Sequence, residues 1–251
     1  MTPPELRLRA LAGIPEIAAS ADLAGLLAAS CPEDLAASDL LVVAHKIVSK
    51  AEGRVRELTS ITPGDQALAL AVQQDRDPRH VQAILDETAE LVRAQNGVLI
   101  CRTHSGLICA NAGVDLSNVA EGQVLALPAD PDESARRLRA GLAERLGLAP
   151  AVLISDSFGR AWRIGQVDVA IGAAGLEPLD DWRGRHDRAG RELAATAIAV
   201  ADAAAAAADL VRAKDAGAPA VLISGLGRFV TAEDGPGAAA LRRPAAEDLF
   251  L

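Results

Sequence analysis

The apolar run Ala151-Val152-Leu153-Ile154 breaks directly into Ser155-Asp156-Ser157-Phe158-Gly159-Arg160-Ala161-Trp162-Arg163-Ile164-Gly165-Gln166. A run of strand length without polar alternation reads as a buried strand. The acid, hydroxyls, glycines and arginines behind it place a polar cluster at one edge of a sheet. Such a strand needs a sizeable core. With 251 residues, 50% of them hydrophobic, the chain can supply one large domain or two small ones without disulfide or metal staples. Only Phe158, Trp162, Trp182, Phe229 and Phe250 are aromatic, so that core is made of Leu, Val, Ile and Ala, and Trp162 stands out inside the polar cluster.

Charge excludes one class of partner. Asp and Glu number 34 against 25 Lys and Arg, a net charge of −9, and no basic run offers a footprint for nucleic acid. Cys31, Cys101 and Cys109 are odd in number and lack C-x-x-C spacing, which argues against a disulfide framework or a cysteine zinc site. They are expected to be small buried hydrophobes in a reducing compartment. No apolar core of signal-peptide length follows Met1 to Leu11, and the alanine tract near residue 205 is bracketed by Asp202 and Asp209. The expectation is a cytoplasmic protein with no membrane partner.

Periodicity assigns strands to Leu6–Leu11, Leu40–Ala44, Val98–Arg102, Val167–Ile171 and Ala220–Ser224, besides the opening run. Asp22–Ser30 reads as a helix. Val81, Ile84, Leu85, Thr88, Leu91 and Val92 recur at helical spacing, and Asn96-Gly97 closes that helix. A turn is expected at His104-Ser105-Gly106. Asp130-Pro131-Asp132-Glu133 combines an N-cap acid, a proline at the first helical position and a capping-box glutamate, starting a helix that Gly147 stops. An alanine-rich helix spans residues 201 to 213, after a loop around residues 175 to 190. Pro128–Pro131 and Ala174–Asp181 are the plausible junctions. Helices and strands mix without a strict βαβ rhythm, so the fold class is α+β.

Four polar clusters follow apolar runs or lie in glycine-bearing turns: Gly13-Ile14-Pro15-Glu16-Ile17, His45 with Lys46 and Lys50, Asn111 to Asn118, and the opening segment. Each has an ordinary explanation. Asp115 and Asn118 fit an Asx turn or a helix cap, Asp156-Ser157 an N-cap, and Lys50 and His45 a solvated surface. Each also has a chemical one. Two lone carboxylates at strand ends suit a hard divalent cation that also holds substrate phosphates, and a lysine with an imidazole can neutralise a phosphate tail. Arg160 and Arg163 beside Trp162 suit an anion clamp or a salt-bridged surface. His104 and His186 read as surface residues. The P-loop, G-x-G-x-x-G, G-x-S-x-G and H-E-x-x-H patterns are all missing, so any nucleotide site is of another kind and no serine hydrolase or zincin is indicated.

Taken in order, Gly13–Ile17, Val43–Gly53, Gly106–Val119 and Ser155–Arg163 resemble the coenzyme F420-0:L-glutamate ligase family, the γ-glutamyl ligases that finish the deazaflavin cofactor F420. The likeness runs from about Leu11 to Arg242-Arg243-Pro244 and Asp248-Leu249-Phe250. It implies a GTP-dependent amide ligase with a family-specific α+β fold, two intimately associated subdomains and an intertwined homodimer. The resemblance assigns guanine-nucleotide binding to Ile14, Pro15, Glu16, Ile17, His45, Lys50 and Asn118. It assigns Mg²⁺ or Mn²⁺ to Asp115 and Asp156, with Ser157 serving a second metal and K⁺ a candidate assisting cation. Asp115, Asp156 and Lys50 are the implied catalytic set. Coenzyme F420-0 or F420-1, L-glutamate and GTP are the implied substrates, and their ligation runs through an acyl phosphate that the glutamate amine displaces.

Two departures qualify the likeness. Some archaeal members carry an amide or acid near the position of Lys214, so a lysine either disfavours the second metal or replaces its charge. With Leu251 last, one ligase unit is expected over residues 1–251, without the nitroreductase-like domain fused to it in actinobacterial versions. A ligase with another acceptor and a non-catalytic nucleotide-binding protein are the competing readings; the intact Asp115, Asp156 and Lys50 argue against the second.

Overall fold

The computed structural model describes residues 5–213 and 216–248. The chain begins with β1 (Arg7–Leu11), α1 (Leu23–Ser30), β2 (Leu40–Ala44), α2 (His45–Ala51) and β3 (Val55–Glu57). It continues through α3 (Asp65–Gln74), α4 (Pro78–Asp86), β4 (Thr88–Gln95), β5 (Val98–Thr103), β6 (Ile108–Ala110) and β7 (Gln123–Leu125). Then come α5 (Pro131–Leu146), β8 (Ala151–Arg160), β9 (Arg163–Ala174), β10 (Leu179–Asp181), β11 (Ala197–Ala199), α6 (Val200–Arg212) and β12 (Ala220–Ser224). The class is α+β, as expected.

The central sheet has the order β1-β12-β2-β8-β9, with β2 and β8 parallel and the other pairs antiparallel. Leu40–Val43 of β2, Ala151–Ile154 of β8 and Ala220–Ile223 of β12 are apolar because both faces of the sheet are covered there. Leu41, Val43, Val152 and Ile154 share one cluster with Leu23 and Leu27 of α1 and Leu138 and Leu142 of α5. Leu40, Val42, Ala151 and Leu153 share the other with Ala201, Ala204, Ala205 and Ala208 of α6. The strand period of two sorts these side chains, and the small alanines let α6 lie close to the sheet. On the opposite face α5 approaches so closely that a Cβ on Gly172 would sit 2.2 Å from the Pro131 carbonyl oxygen. The start of α5 is fixed as the sequence indicates: Asp130 accepts from the Glu133 amide at 3.0 Å, and Gly147 ends the helix in the left-handed region. Glu133 does not close the box; its carboxylate takes the Arg136 guanidinium instead.

A separate apolar cluster gathers Leu70 and Ala71 of α3, Val81 and Ile84 of α4, Leu99 and Cys101 of β5, and Val124 of β7. One expectation fails here. The helix predicted through Val92 ends at Asp86, and residues 88–95 form an edge strand of a β4-β5-β6 sheet. Two register shifts, between Thr88 and Glu90 and between Leu91 and Arg93, break the alternation of β4, so its apolar residues mimic helical spacing. Asn96-Gly97 is the two-residue turn of the β4-β5 hairpin, with φ of 52° and 75°, and not a helix stop. Asp156-Ser157 caps no helix, because β8 continues to Arg160. The loop expected around residues 175 to 190 contains β10, paired with β11. Pro128–Pro131 leads from β7, part of this separate cluster, into the first residue of α5, which packs on the central sheet. Among the described residues the three cysteines are free thiols, and no helix is long and apolar enough to cross a membrane.

Candidate functional site

A cavity of about 670 Å³ opens beyond the carboxyl ends of the parallel pair, where Ala44 of β2 lies opposite Ser155 of β8. Open sheets hold ligands in this position, because strands end there and loops take over. The walls are the Ile14–Ile17 loop, the first turn of α2, the Asp115–Asn118 turn, Ser155–Ser157, Gln166 and Asp168 of β9, Arg212–Ala213, and Gly217–Pro219. All four sequence clusters contribute here: His45, Lys46 and Lys50 in full, and the others through Ile14–Ile17, Asp115 with Ser117 and Asn118, and Ser155–Ser157 with Gln166.

Local structure explains the placement. The unbroken strand β2 passes straight into α2, so His45, Lys46 and Lys50 follow a buried strand on one short helix. The Asp115 backbone exchanges 2.9 Å hydrogen bonds with Leu125, which fixes the turn to β7. Gly113, at φ 72°, tolerates no side chain because a Cβ would lie 2.5 Å from Leu127. Asp115 makes the expected Asx turn, with Oδ1 accepting from the Ser117 amide at 2.8 Å, and Asn118 is left-handed at φ 57°.

Among the described residues the cavity walls carry four carboxylates, Glu16, Asp115, Asp156 and Asp168, against three permanent cations, Lys46, Lys50 and Arg212. Lys50, buried, pairs with the exposed Glu16 and ties α2 to the Ile14–Ile17 loop. Lys46 pairs with Asp115 Oδ2 at 2.5 Å, and Ser117 Oγ donates to the same oxygen at 2.8 Å. Arg212 and Asp168 form a buried pair. Among the described residues Asp156 has the imidazole of His45, with Nε2 at 3.2 Å from Oδ1, and its own neighbour's amide, Ser157 N–H, on the same oxygen at 2.7 Å. That leaves Asp156 Oδ2 for a ligand, and His45 Nε2, though buried, completes no hydrogen bond.

Burial opposes ionisation of Asp115, but the bonds from Lys46 and Ser117 outweigh it and hold its carboxyl below the ordinary range. Burial, reinforced by the charge of Asp156, raises the Cys109 thiol to about 12, so this cysteine is no nucleophile.

Among the described residues no group of three or more His, Cys, Asp and Glu side chains forms a metal cluster. The donor chemistry nevertheless fits a hard divalent cation. Asp115 and Asp156 offer carboxylate oxygens to one cavity, and such ions are commonly held by one or two carboxylates plus phosphate oxygens of a substrate. The strand period sends Asp156 to one side of β8 and Ser157 to the other, so the two would serve different ions or different parts of one ligand.

The sequence reading did not single out Asp168 and Arg212, and it carried Ser155 and Gln166 only as members of the opening segment. Asp168 was detectable as the lone acid in the alternating Val167–Ile171 segment, and Arg212 as the arginine closing the alanine-rich helix. Conversely, Trp162, 83% exposed, and Arg163 lie at the tip of the β8-β9 hairpin and do not line this cavity, while the Arg160 guanidinium folds back onto Ile164 and Gly165 carbonyls. His104 and His186 are exposed, as expected. Lys214 lies outside the described residues.

The family model described as F420-0:Gamma-glutamyl ligase matches residues 13–225. Proteins named Coenzyme F420:L-glutamate ligase are similar over most of the chain. The one from Methanothermobacter thermautotrophicus is 43% identical over 242 residues, covering 95% of this chain and 96% of its own. The one from Methanopyrus kandleri is 45% identical over 231 residues, 91% of each chain. The one from Methanocaldococcus jannaschii is 41% identical over 213 residues, 84% of each.

Proposed function

The chain belongs to the F420-0:gamma-glutamyl ligase family and is a ligase, and from that premise we propose that it joins L-glutamate to coenzyme F420-0 or F420-1 at the expense of GTP. The observation that carries this reading is the meeting of Lys46, Lys50 and Arg212 with Asp115 and Asp156 in one cavity of about 670 Å³. That is a volume suited to a nucleotide-sized ligand.

Carboxylates acylate amines poorly, so the acceptor carboxylate attacks the γ-phosphorus of GTP and GDP leaves. The glutamate α-amine then attacks the acyl carbon of the resulting acyl phosphate, loses a proton, and inorganic phosphate departs. Lys50 and His45 supply positive potential to the phosphate tail, and the Ile14–Ile17 loop with Asn118 holds the remainder of the nucleotide. Asp115 and Asp156 would hold Mg²⁺ or Mn²⁺, which when bound withdraws charge from phosphate oxygens. Lys46 positions Asp115. No protein nucleophile is needed, in keeping with the inert Cys109 thiol.

The same reading extends to a cytoplasmic homodimer of two-part subunits; the separate apolar cluster around α3, α4 and β5 supports the division. Purified protein incubated with F420-0, L-glutamate, GTP and Mn²⁺ should yield GDP and a product heavier by one glutamyl unit, as read by mass spectrometry. Unchanged F420-0 with no GDP would overturn the proposal.

A further inference from the structure

Just before Asp115 the backbone takes a shape that few residue types tolerate. Asn111, Ala112 and Gly113 are left-handed in succession, with φ of 55°, 51° and 72°. In that region Cβ crowds the following carbonyl oxygen, so residues other than glycine enter it singly, and Asn does so more readily than Ala because its amide can bond locally. Such a turn persists where its surroundings over-determine it. Ala112, 1% exposed, packs in the cluster with Val81 and Ile84, and the Val114 amide closes the turn on the Asn111 carbonyl at 2.9 Å. A further support is Arg76, in the connection between α3 and α4. Its Nη1 donates to Asn111 Oδ1 at 2.7 Å and to the Gly97 carbonyl at 3.1 Å, and its Nη2 lies 3.3 Å from His80 Nδ1. The Leu99 amide reaches the same Asn111 oxygen at 3.3 Å.

These three acceptors of Arg76 are neutral, and His80 Nδ1 can only accept, since a guanidinium has no lone pair to offer. Burial disfavours the charge of Arg76. A half-buried cation on neutral groups is a costly support for a fold, and what this one secures is a single conformation of the Asn111 side chain. Asp115 follows four residues on and lines the cavity. Its backbone is held to Leu125 of β7 and entered from the left-handed turn. We propose that Arg76 is a positioning residue for Asp115: by gripping the Asn111 amide it keeps residues 111–113 left-handed, and the turn sets the angle at which Asp115 enters the cavity. Without the grip, Asn111 relaxes toward the ordinary backbone regions and Asp115 swings away from Lys46. The inference rests on the reading of Asp115 as part of the ligase machinery, and holds whichever partner Asp115 meets in the reaction.

The test combines turnover with hydrogen exchange. Arg76→Gln should lower kcat for GDP release with F420-0, L-glutamate, GTP and Mn²⁺ by about 10–100-fold, the scale of a misplacement of about 1 Å. It should also speed amide exchange over residues 111–118, read by mass spectrometry. Adding Asn111→Gly should restore most of both, because glycine takes the left-handed region freely and no longer needs the grip. A purely structural role of Arg76 gives the reverse, since the second substitution removes a further hydrogen-bond acceptor from a weakened fold. Wild-type kcat in Arg76→Gln, or a double variant as slow as Arg76→Gln, would overturn the inference. A wild-type protein that releases no GDP would instead remove the ligase reading, and exchange would still decide on the turn: unchanged protection of residues 111–118 in Arg76→Gln overturns the inference by itself. Circular dichroism accompanies each variant. Should Arg76→Gln unfold, Asn111→Ala and Asn111→Gly replace it; both remove the amide, and the alanine variant alone should lose turnover. Equal losses in the two would again overturn the inference.

Discussion

Single side chains divide this cavity into those that are already matched and one that is not. Lys50, Lys46 and Arg212 each face a carboxylate, whereas among the described residues Asp156 faces no permanent cation, just the His45 imidazole and the Ser157 amide. Asp156→Asn should therefore leave the fold intact and lower GTP turnover by at least about 100-fold, the scale of a lost electrostatic contact in a transition state. GDP release together with a thermal melt checks both halves. Lys50→Met should raise the KM for GTP by about 10-fold or more, the loss of a charge-assisted bond to phosphate. Initial rates over a GTP series decide it. Cys109 makes the opposite case. With its thiol raised to about 12 by burial, iodoacetamide at pH 8 should leave the native protein unalkylated at this position and fully active. Peptide mapping that finds Cys109 modified in the folded protein would contradict the placement.

At the level of elements, legibility follows how far a segment's order depends on distant residues. The helix Pro131–Leu146 could be read because its cap acid, its proline and its terminal glycine are all local. The strands Leu40–Ala44 and Ala220–Ser224 could be read because both faces are buried, leaving unbroken apolar runs. The strand Thr88–Gln95 could not, because its bulges are set by pairing with β5 and disguise its period. The helices α2 and α3 were missed for a related reason: polar side chains that serve the cavity or solvent interrupt their apolar pattern. Within the site, local motifs led to Asp115 and Asp156, but the Asp168–Arg212 pair joins residues 44 apart and exists only once α6 docks on β9.

The helix α4 carries a pH dependence. Burial first, then the neighbouring Arg76 charge, lower the His80 imidazole to about 4. The unfolded chain takes up this proton below its ordinary value of 6.5, before the folded protein does. Stability is therefore full above that point and falls as pH drops toward 4, by on the order of 3 kcal/mol. His80→Gln should show a smaller loss of Tm between pH 7 and pH 4.5 than the wild type. In the core, Leu153→Ala, at a site with no exposure, should cost about 2–5 kcal/mol in a urea unfolding curve.

The whole molecule places a charged cavity at the end of a sheet whose two faces are sealed by α1 and α5 on one side and α6 on the other. That arrangement lets nearly all of the polar side chains on the middle strands collect where the strands end. Sedimentation equilibrium should give the mass of two chains, the assembly proposed for this family member. In the proposed reaction the cavity activates a carboxylate by phosphorylation before an amine attacks it. The most direct test uses F420-0 with ¹⁸O in its terminal carboxylate, incubated with enzyme, GTP, Mn²⁺ and L-glutamate. An acyl phosphate requires one ¹⁸O to appear in the inorganic phosphate released with each amide formed, whereas amide product with unlabelled phosphate would contradict the mechanism.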